Sequence, residues 1–278
     1  MSKIIFLDID GTLIDHDVIH GIPTSSKEAI ALARANGHKC IICTGRVKSS
    51  VSHDVHDLGF DGAIYAAGCQ VEVNNKQLFY TKCDPKLVKL VLDTLTDCGI
   101  GYSLEGEYKT FQDEVAHQRF LRMFKEREGM NSEMARFAIS AMNFSSIHEF
   151  KLDCDPINKC TFFAKDMDSI EKMTAVLSPY FKILVHGEKH MDLINGEMIP
   201  LGISKASGMD VILNHYGMDL SDTFAYGDSL NDEEMILHAN VGVAMGNAHE
   251  SIKQLADDVC DRVDQDAIYK SFKKYGLI

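Results

Sequence analysis

Three unbroken apolar runs near the start of the chain constrain its fold most. They are Ile4-Ile5-Phe6-Leu7, Cys40-Ile41-Ile42-Cys43 and Ala63-Ile64-Tyr65-Ala66, and each stops at a polar or glycine-bearing turn. Runs without polar alternation suit strands buried on both faces, the condition of a parallel sheet covered by helices. A helix is predicted between the first two. Thr24, Ser25 or Ser26 can cap its start, Ala29, Ile30, Leu32 and Ala33 give it an apolar face, and Gly37 ends it. The rhythm returns near the C-terminus. Ser204 can cap a helix from Lys205 to about Gly217, Thr223-Phe224-Ala225-Tyr226 and Val241-Gly242-Val243-Ala244-Met245 read as strands, and Asn247 can cap the next helix. Strand alternating with helix implies a doubly wound, Rossmann-like α/β core.

The middle of the chain has another character. It mixes long helical stretches (Pro85–Cys98, Val115–Arg127, Met167–Leu177) with strands such as Thr161-Phe162-Phe163-Ala164. With 278 residues the chain exceeds what one core usually organises. The expected division is a core from residues 1–81 and 190–278, with an α/β domain inserted at 82–189.

Four short segments stand where such a sheet presents ligands, after a strand or at a helix start. Asp8-Ile9-Asp10-Gly11-Thr12 places two carboxylates directly after a buried strand, a costly arrangement unless a cation or a reaction needs them. It is no EF-hand loop, because Leu13 stands where that loop needs Gly and Ile19 where it needs Glu. Thr44-Gly45-Arg46 offers a hydroxyl and an open backbone N–H to phosphate oxygens, though Thr-Gly also marks ordinary strand exits. Lys205 puts an ammonium at an already positive helix end, which favours an anion there; a solvated lysine is the plain alternative. In Gly227-Asp228-Ser229-Leu230-Asn231-Asp232, Asp228 can ligate a metal, while Asp232 and Glu233 are also ordinary partners of a helix dipole.

In this order the four segments resemble the motifs of the haloacid dehalogenase superfamily, and most closely its Cof-type branch, which carries a large α/β (type IIB) cap between the second and third motifs. The resemblance implies a phosphatase for small phosphorylated metabolites, such as sugar phosphates or phosphorylated cofactors. Asp8 would attack phosphorus to form an aspartyl-phosphate, and Asp10 would move the protons. Mg²⁺ would bind Asp8, the Asp10 carbonyl and Asp228. Ile9, Thr44, Gly45, Lys205 and Asn231 would hold phosphate, with Asp232 and Arg46 in support. Arg46 either orients substrate or braces its loop. A phosphomutase of the same fold carries the same motifs; a non-catalytic phosphate-binding regulator is the other alternative, but its mark would be a lost nucleophile or metal ligand, and Asp8, Asp10, Lys205 and Asp228 are all present. Asp264-Gln265-Asp266-Ala267-Ile268 departs from the branch, which often has Asp-Gly-Val there.

A net charge of −13 disfavours nucleic acid and anionic lipid. No run nears the roughly 18 apolar residues of a membrane span. Eight scattered cysteines and no export signal predict reduced thiols in a cytoplasm. Cys40 and Cys43 read as core rather than a metal pair, since strand residues three apart face opposite sides. His53, Asp54, His56 and Asp57 read as a solvated helix surface, and Met123, Met130, Met134 and Met142 as inserted-domain core. His190 and Asp192 lie where the chain returns to the first domain. Oligomeric state has no signature in the sequence.

Overall fold

The computed structural model describes residues 2–15, 18–127, 143–186 and 194–278. The chain divides into two compact units. One comprises Met1–Arg46, Val51–Tyr80 and Ile203–Ile278; the other comprises Val47–Ser50 and Thr81–Gly202. The strands among the described residues are β1 (Ile4–Leu7), β2 (Lys39–Cys43), β3 (Gly62–Tyr65), β4 (Gln70–Val73), β5 (Lys76–Tyr80), β6 (Gly101–Gly106), β7 (Thr110–Gln112), β8 (Phe144–Ser146), β9 (Ile157–Ala164), β10 (Phe181–His186), β11 (Ile194–Pro200), β12 (Thr223–Gly227), β13 (Val241–Ala244) and β14 (Asp258–Val259).

The first unit holds an eight-stranded sheet in the order β14-β13-β12-β1-β2-β3-β4-β5. The strands from β14 to β3 run parallel, and β4 and β5 add an antiparallel hairpin. Every residue of β1 is buried, as an unbroken apolar run requires. Ile5 and Leu7 pack with Ala29, Ile30 and Ala33 of the helix Thr24–Ala35 and with Phe272 of the helix Ala267–Lys274. Ile4 and Phe6 point the other way, onto Met209, Ile212 and Leu213 of the helix Lys205–Tyr216. Alternate residues thus bury on opposite helical layers, each contributing on the order of 1.5–3 kcal/mol. Cys40 joins the first cluster and Cys43 the second, on opposite faces of β2.

Local signals succeed and fail for identifiable reasons. Ser204 caps its helix in a reciprocal box with Ser207, and Gly217 ends that helix at φ +62°. The helix at Thr24 is preceded by Pro23 and has no side-chain cap, so the three hydroxyls there do not serve as predicted. Asn247 caps nothing; the next helix, Glu250–Leu255, is capped by His249. Asp266 adopts φ +60°, the left-handed region that favours the glycine the branch often has in this segment, and nothing in the structure explains the aspartate. His53, Asp54 and His56 are exposed on the short helix His53–His56, whose Val55 is buried.

The second unit has a six-stranded sheet in the order β10-β11-β9-β6-β7-β8. Its pairs are antiparallel except β7 with β8. The helices Pro85–Asp97 and Met167–Leu177 bury Val88, Val91, Leu95, Ile170, Met173 and Leu177 against Leu104, Phe111, Cys160 and Phe162. Because β11 pairs with β9 and β10, the second unit runs to Gly202, and the return predicted at residue 190 moves to Ile203. Met130, Met134, Met142, His190 and Asp192 lie outside the described residues, as does the side chain of Met123. Among the described residues, no helix is long and apolar enough to cross a membrane.

Candidate active site

The loops after β1, β2 and β12 emerge at one edge of the parallel sheet, because the three strands are adjacent and share a direction. Asp8 follows β1 and is 5% exposed. Its N–H donates to the Tyr226 carbonyl at 3.0 Å, which fixes the loop to β12. The chain then turns tightly: the N–H groups of Thr12, Leu13 and Ile14 all donate to the Ile9 carbonyl. Gly11 makes the turn possible. Its φ is +75°, and a Cβ there would lie 2.2 Å from Asp228 Oδ2.

Lys205 is 1% exposed and donates from Nζ to Asp8 Oδ1 at 2.7 Å and to Asp232 Oδ1 at 2.5 Å. The solvated alternative for this lysine is therefore overturned. Burial disfavours its charge, but Asp232 and Asp8 outweigh that, and its pKa is raised. Asp232 Oδ2 accepts from the N–H groups of Asp228 and Ser229, each at 3.0 Å. With both oxygens engaged, Asp232 holds Lys205 and the Asp228 loop rather than offering itself to a metal.

Burial pushes the Asp8 carboxyl up to about 7, with Lys205 opposing and Asp232 and Asp10 adding to the rise. Asp228 is pushed up to about 8 by burial, then by Asp232 and Asp8. Carboxylate oxygens of Asp8, Asp228 and Asp232 lie within 4.8 Å of one another. Thr12 Oγ1 donates to Asp228 Oδ1 at 3.4 Å. Arg46 grips Asp10 with both arms, Nε to Oδ2 at 2.7 Å and an Nη to Oδ1 at 2.6 Å. With all four carboxylates ionised against two cations, two negative charges are left over. A divalent cation with oxygen ligands fits that excess, with Asp8 and Asp228 the carboxylates available to it.

Thr44 is buried beyond β2, and its Oγ1 accepts from the Arg46 N–H at 3.1 Å. The loop carrying Thr44, Gly45 and Arg46 is braced from the turn after β3, where Ala66 and Ala67 donate to the carbonyls of Arg46 and Thr44. Both alanines are left-handed, at φ +50° and +55°. Asn231 lies in the single turn Leu230–Asp232, its Oδ1 accepting from Ser229 Oγ at 2.8 Å. Asn247, read as a cap, instead donates from Nδ2 to the Gly11 carbonyl at 2.7 Å and accepts from the Val263 N–H at 3.2 Å. Its place after β13, the strand next to β12, was a signal that it belongs to the ligand-bearing edge.

The family model of haloacid dehalogenase-like hydrolases matches residues 5–272. The chain is 30% identical over 278 residues to YkrA of Bacillus subtilis (strain 168), covering 100% of this chain and 99% of that one. It is 23% identical over 280 residues to the 5-amino-6-(5-phospho-D-ribitylamino)uracil phosphatase YcsE of Bacillus subtilis (strain 168), covering 99% and 96%. The solved structure of the subclass IIB sugar phosphatase BT4131 superposes with a TM-score of 0.79 at 26% identity, with 100% of both chains covered. The chain belongs to the haloacid dehalogenase-like hydrolase family, in its Cof-type phosphatase branch.

Proposed function

We propose that the chain is a Mg²⁺-dependent phosphatase that hydrolyses small phosphate monoesters, such as sugar phosphates or phosphorylated cofactors, through an aspartyl-phosphate on Asp8. The observation that carries this reading is the hold of Lys205 Nζ on Asp8 Oδ1 at 2.7 Å, which directs Oδ2 as the attacking oxygen. Relatives named for a sugar phosphate and for a phosphoribityl pyrimidine support a small organic ester.

Asp8 Oδ2 forms a bond to phosphorus while the bond to the ester oxygen breaks on the opposite side. Asp10 gives its proton to that departing oxygen. A protonated Asp10 has one oxygen that donates rather than accepts, so Arg46 must release one arm of its fork at this step. Water then attacks phosphorus, Asp10 takes the water's proton, and Asp8 leaves as a carboxylate. Lys205, the Thr44 hydroxyl, the Asn231 amide and the backbone N–H groups of Ile9 and Gly45 hold phosphate oxygens through both steps. Asp8, the Asp10 carbonyl and Asp228 would hold Mg²⁺, which would supply positive charge against the repulsion between Asp8 and its anionic target.

The reaction runs in the cytoplasm. Eight cysteines standing as free thiols fit a reducing compartment. The reading is tested by phosphate release from p-nitrophenyl phosphate with Mg²⁺. Wild-type protein should release phosphate and Asp8→Asn should not; an Asp8→Asn variant of undiminished activity overturns the assignment.

A further inference from the structure

A cavity of about 350 Å³ lies wholly within the first unit, with Ile42, Phe60, Ala63, Tyr65 and Glu72 in its walls, and none of the four motif segments lines it. Register explains the space. Ala63 of β3 stands between Ile42 of β2 and Glu72 of β4, and Tyr65 pairs with Gln70. These side chains share one face of the sheet, because residues two apart on a strand point the same way. Ile42, Ala63 and Tyr65 cluster there with Val51 and Val55. Ala63 is the smallest side chain of its row, so a methyl group forms the floor where larger neighbours would have filled the space.

A carboxylate in this apolar setting is costly unless a partner needs it. Glu72 is 7% exposed, and its Oε1 accepts from Nε2 of the buried Gln70 at 2.9 Å. An ionised carboxylate has about four acceptor positions, and Gln70 fills one of them. Tyr65 is 4% exposed. Burial first and Glu72 second push its phenol pKa up, so the group stays a neutral hydroxyl. Among the described residues that hydroxyl makes no hydrogen bond, although a buried tyrosine usually finds a partner. No lysine or arginine lines the cavity; His56, Asn74 and Asn75 line it and are exposed.

A buried carboxylate repels an anion and favours a cation. An ammonium brings three donors, and both the Glu72 carboxylate and the Tyr65 oxygen accept. Ile42, Phe60 and Ala63 offer apolar contact beside them. Such a mixture, in a volume near the lower end of the range of about 300–1,000 Å³, is typical of small-molecule sites. We propose that this cavity binds a small organic primary ammonium compound, with Glu72 and Tyr65 on the nitrogen and Ile42, Phe60 and Ala63 on the hydrocarbon. The site does not depend on the hydrolase reading.

The experiment follows thermal melts of the full chain with n-butylammonium chloride, 1-butanol and sodium butyrate at matched ionic strength. Wild type should show a saturable rise in melting temperature with butylammonium alone. Glu72→Gln keeps the shape and an acceptor for Gln70 but loses the charge, and should weaken apparent affinity at least about tenfold. Tyr65→Phe removes only a hydroxyl without a partner, so it should melt with wild type and still weaken affinity about fivefold. Asp8→Asn should keep the wild-type rise, because it alters the other carboxylate cluster that attracts an ammonium. No saturable rise in wild type overturns the proposal, as does an equal rise with butanol or butyrate. A rise that Asp8→Asn loses, or that either cavity variant leaves unchanged, also overturns it. Should Glu72→Gln fail to fold, Tyr65→Phe decides alone.

Discussion

Arg46 holds both oxygens of Asp10, Nε to Oδ2 at 2.7 Å and Nη to Oδ1 at 2.6 Å. A planar guanidinium fits a carboxylate in this way and an ammonium does not. The pair gives Arg46 a partner that neither sequence reading named: it holds Asp10, the carboxylate to which the proposed mechanism gives the proton transfers. Arg46→Lys keeps the charge and loses the fork. Its kcat/KM for p-nitrophenyl phosphate should fall on the order of tenfold or more, with kcat carrying most of the loss. A change confined to KM would mean that Arg46 only binds substrate.

The raised carboxyls make stability depend on pH in a stated direction. Burial lifts Asp8 to about 7 and Asp228 to about 8 in the fold, against an ordinary value of 3.8 in the unfolded chain. The unfolded chain loses these protons first as pH rises, so the metal-free fold should lose stability from about pH 4 up through pH 8. A divalent cation favours the ionised forms. Thermal melts with EDTA and with Mg²⁺ should therefore differ more at pH 8 than at pH 6, with Mg²⁺ stabilising in both.

Lys205 is buried between two carboxylates. Lys205→Met removes the cation and leaves Asp8 and Asp232 uncompensated in the interior, a loss of about 3–5 kcal/mol by denaturant unfolding. Lys205→Met with Asp232→Asn should recover part of that stability without recovering phosphate release, because the second change removes only the stranded charge.

Gly11 allows the backbone turn that brings Asp228 beside Asp8. Gly11→Ala adds a Cβ at φ +75°, 2.2 Å from Asp228 Oδ2. The strain should lower stability by about 1–2 kcal/mol. The displacement of Asp228 should weaken Mg²⁺ affinity and activity far more than that. Titration with Mg²⁺ under steady-state turnover separates the two effects.

Much of the site was legible because its residues sit at the ends of short apolar runs. Asp8, Thr44 and Asp228 come directly after β1, β2 and β12, and Ser204 announces the helix that carries Lys205. What stayed hidden depends on distant partners. Asn247 looks like a cap, but its bonds go to Gly11 and Val263. Strand Ile194–Pro200 has no local mark of which sheet it joins, and only pairing with β9 and β10 assigns it. The hairpin β4–β5 did carry a signal, since Asn74 and Asn75 both take positive φ as a two-residue turn demands. Strand β9 was predicted only over Thr161–Ala164, because Asn158 and Lys159 interrupt the apolar run.

The central claim is that Asp8 is the group that takes the phosphoryl. Acid quench of a single turnover with Mg²⁺ and p-nitrophenyl phosphate, with peptide mass spectrometry of the quenched protein, reads it directly. A phosphoryl group is expected on the peptide containing Asp8, and none on that peptide from Asp8→Asn. Phosphate release by wild type with an unmodified Asp8 peptide throughout the turnover would contradict the claim.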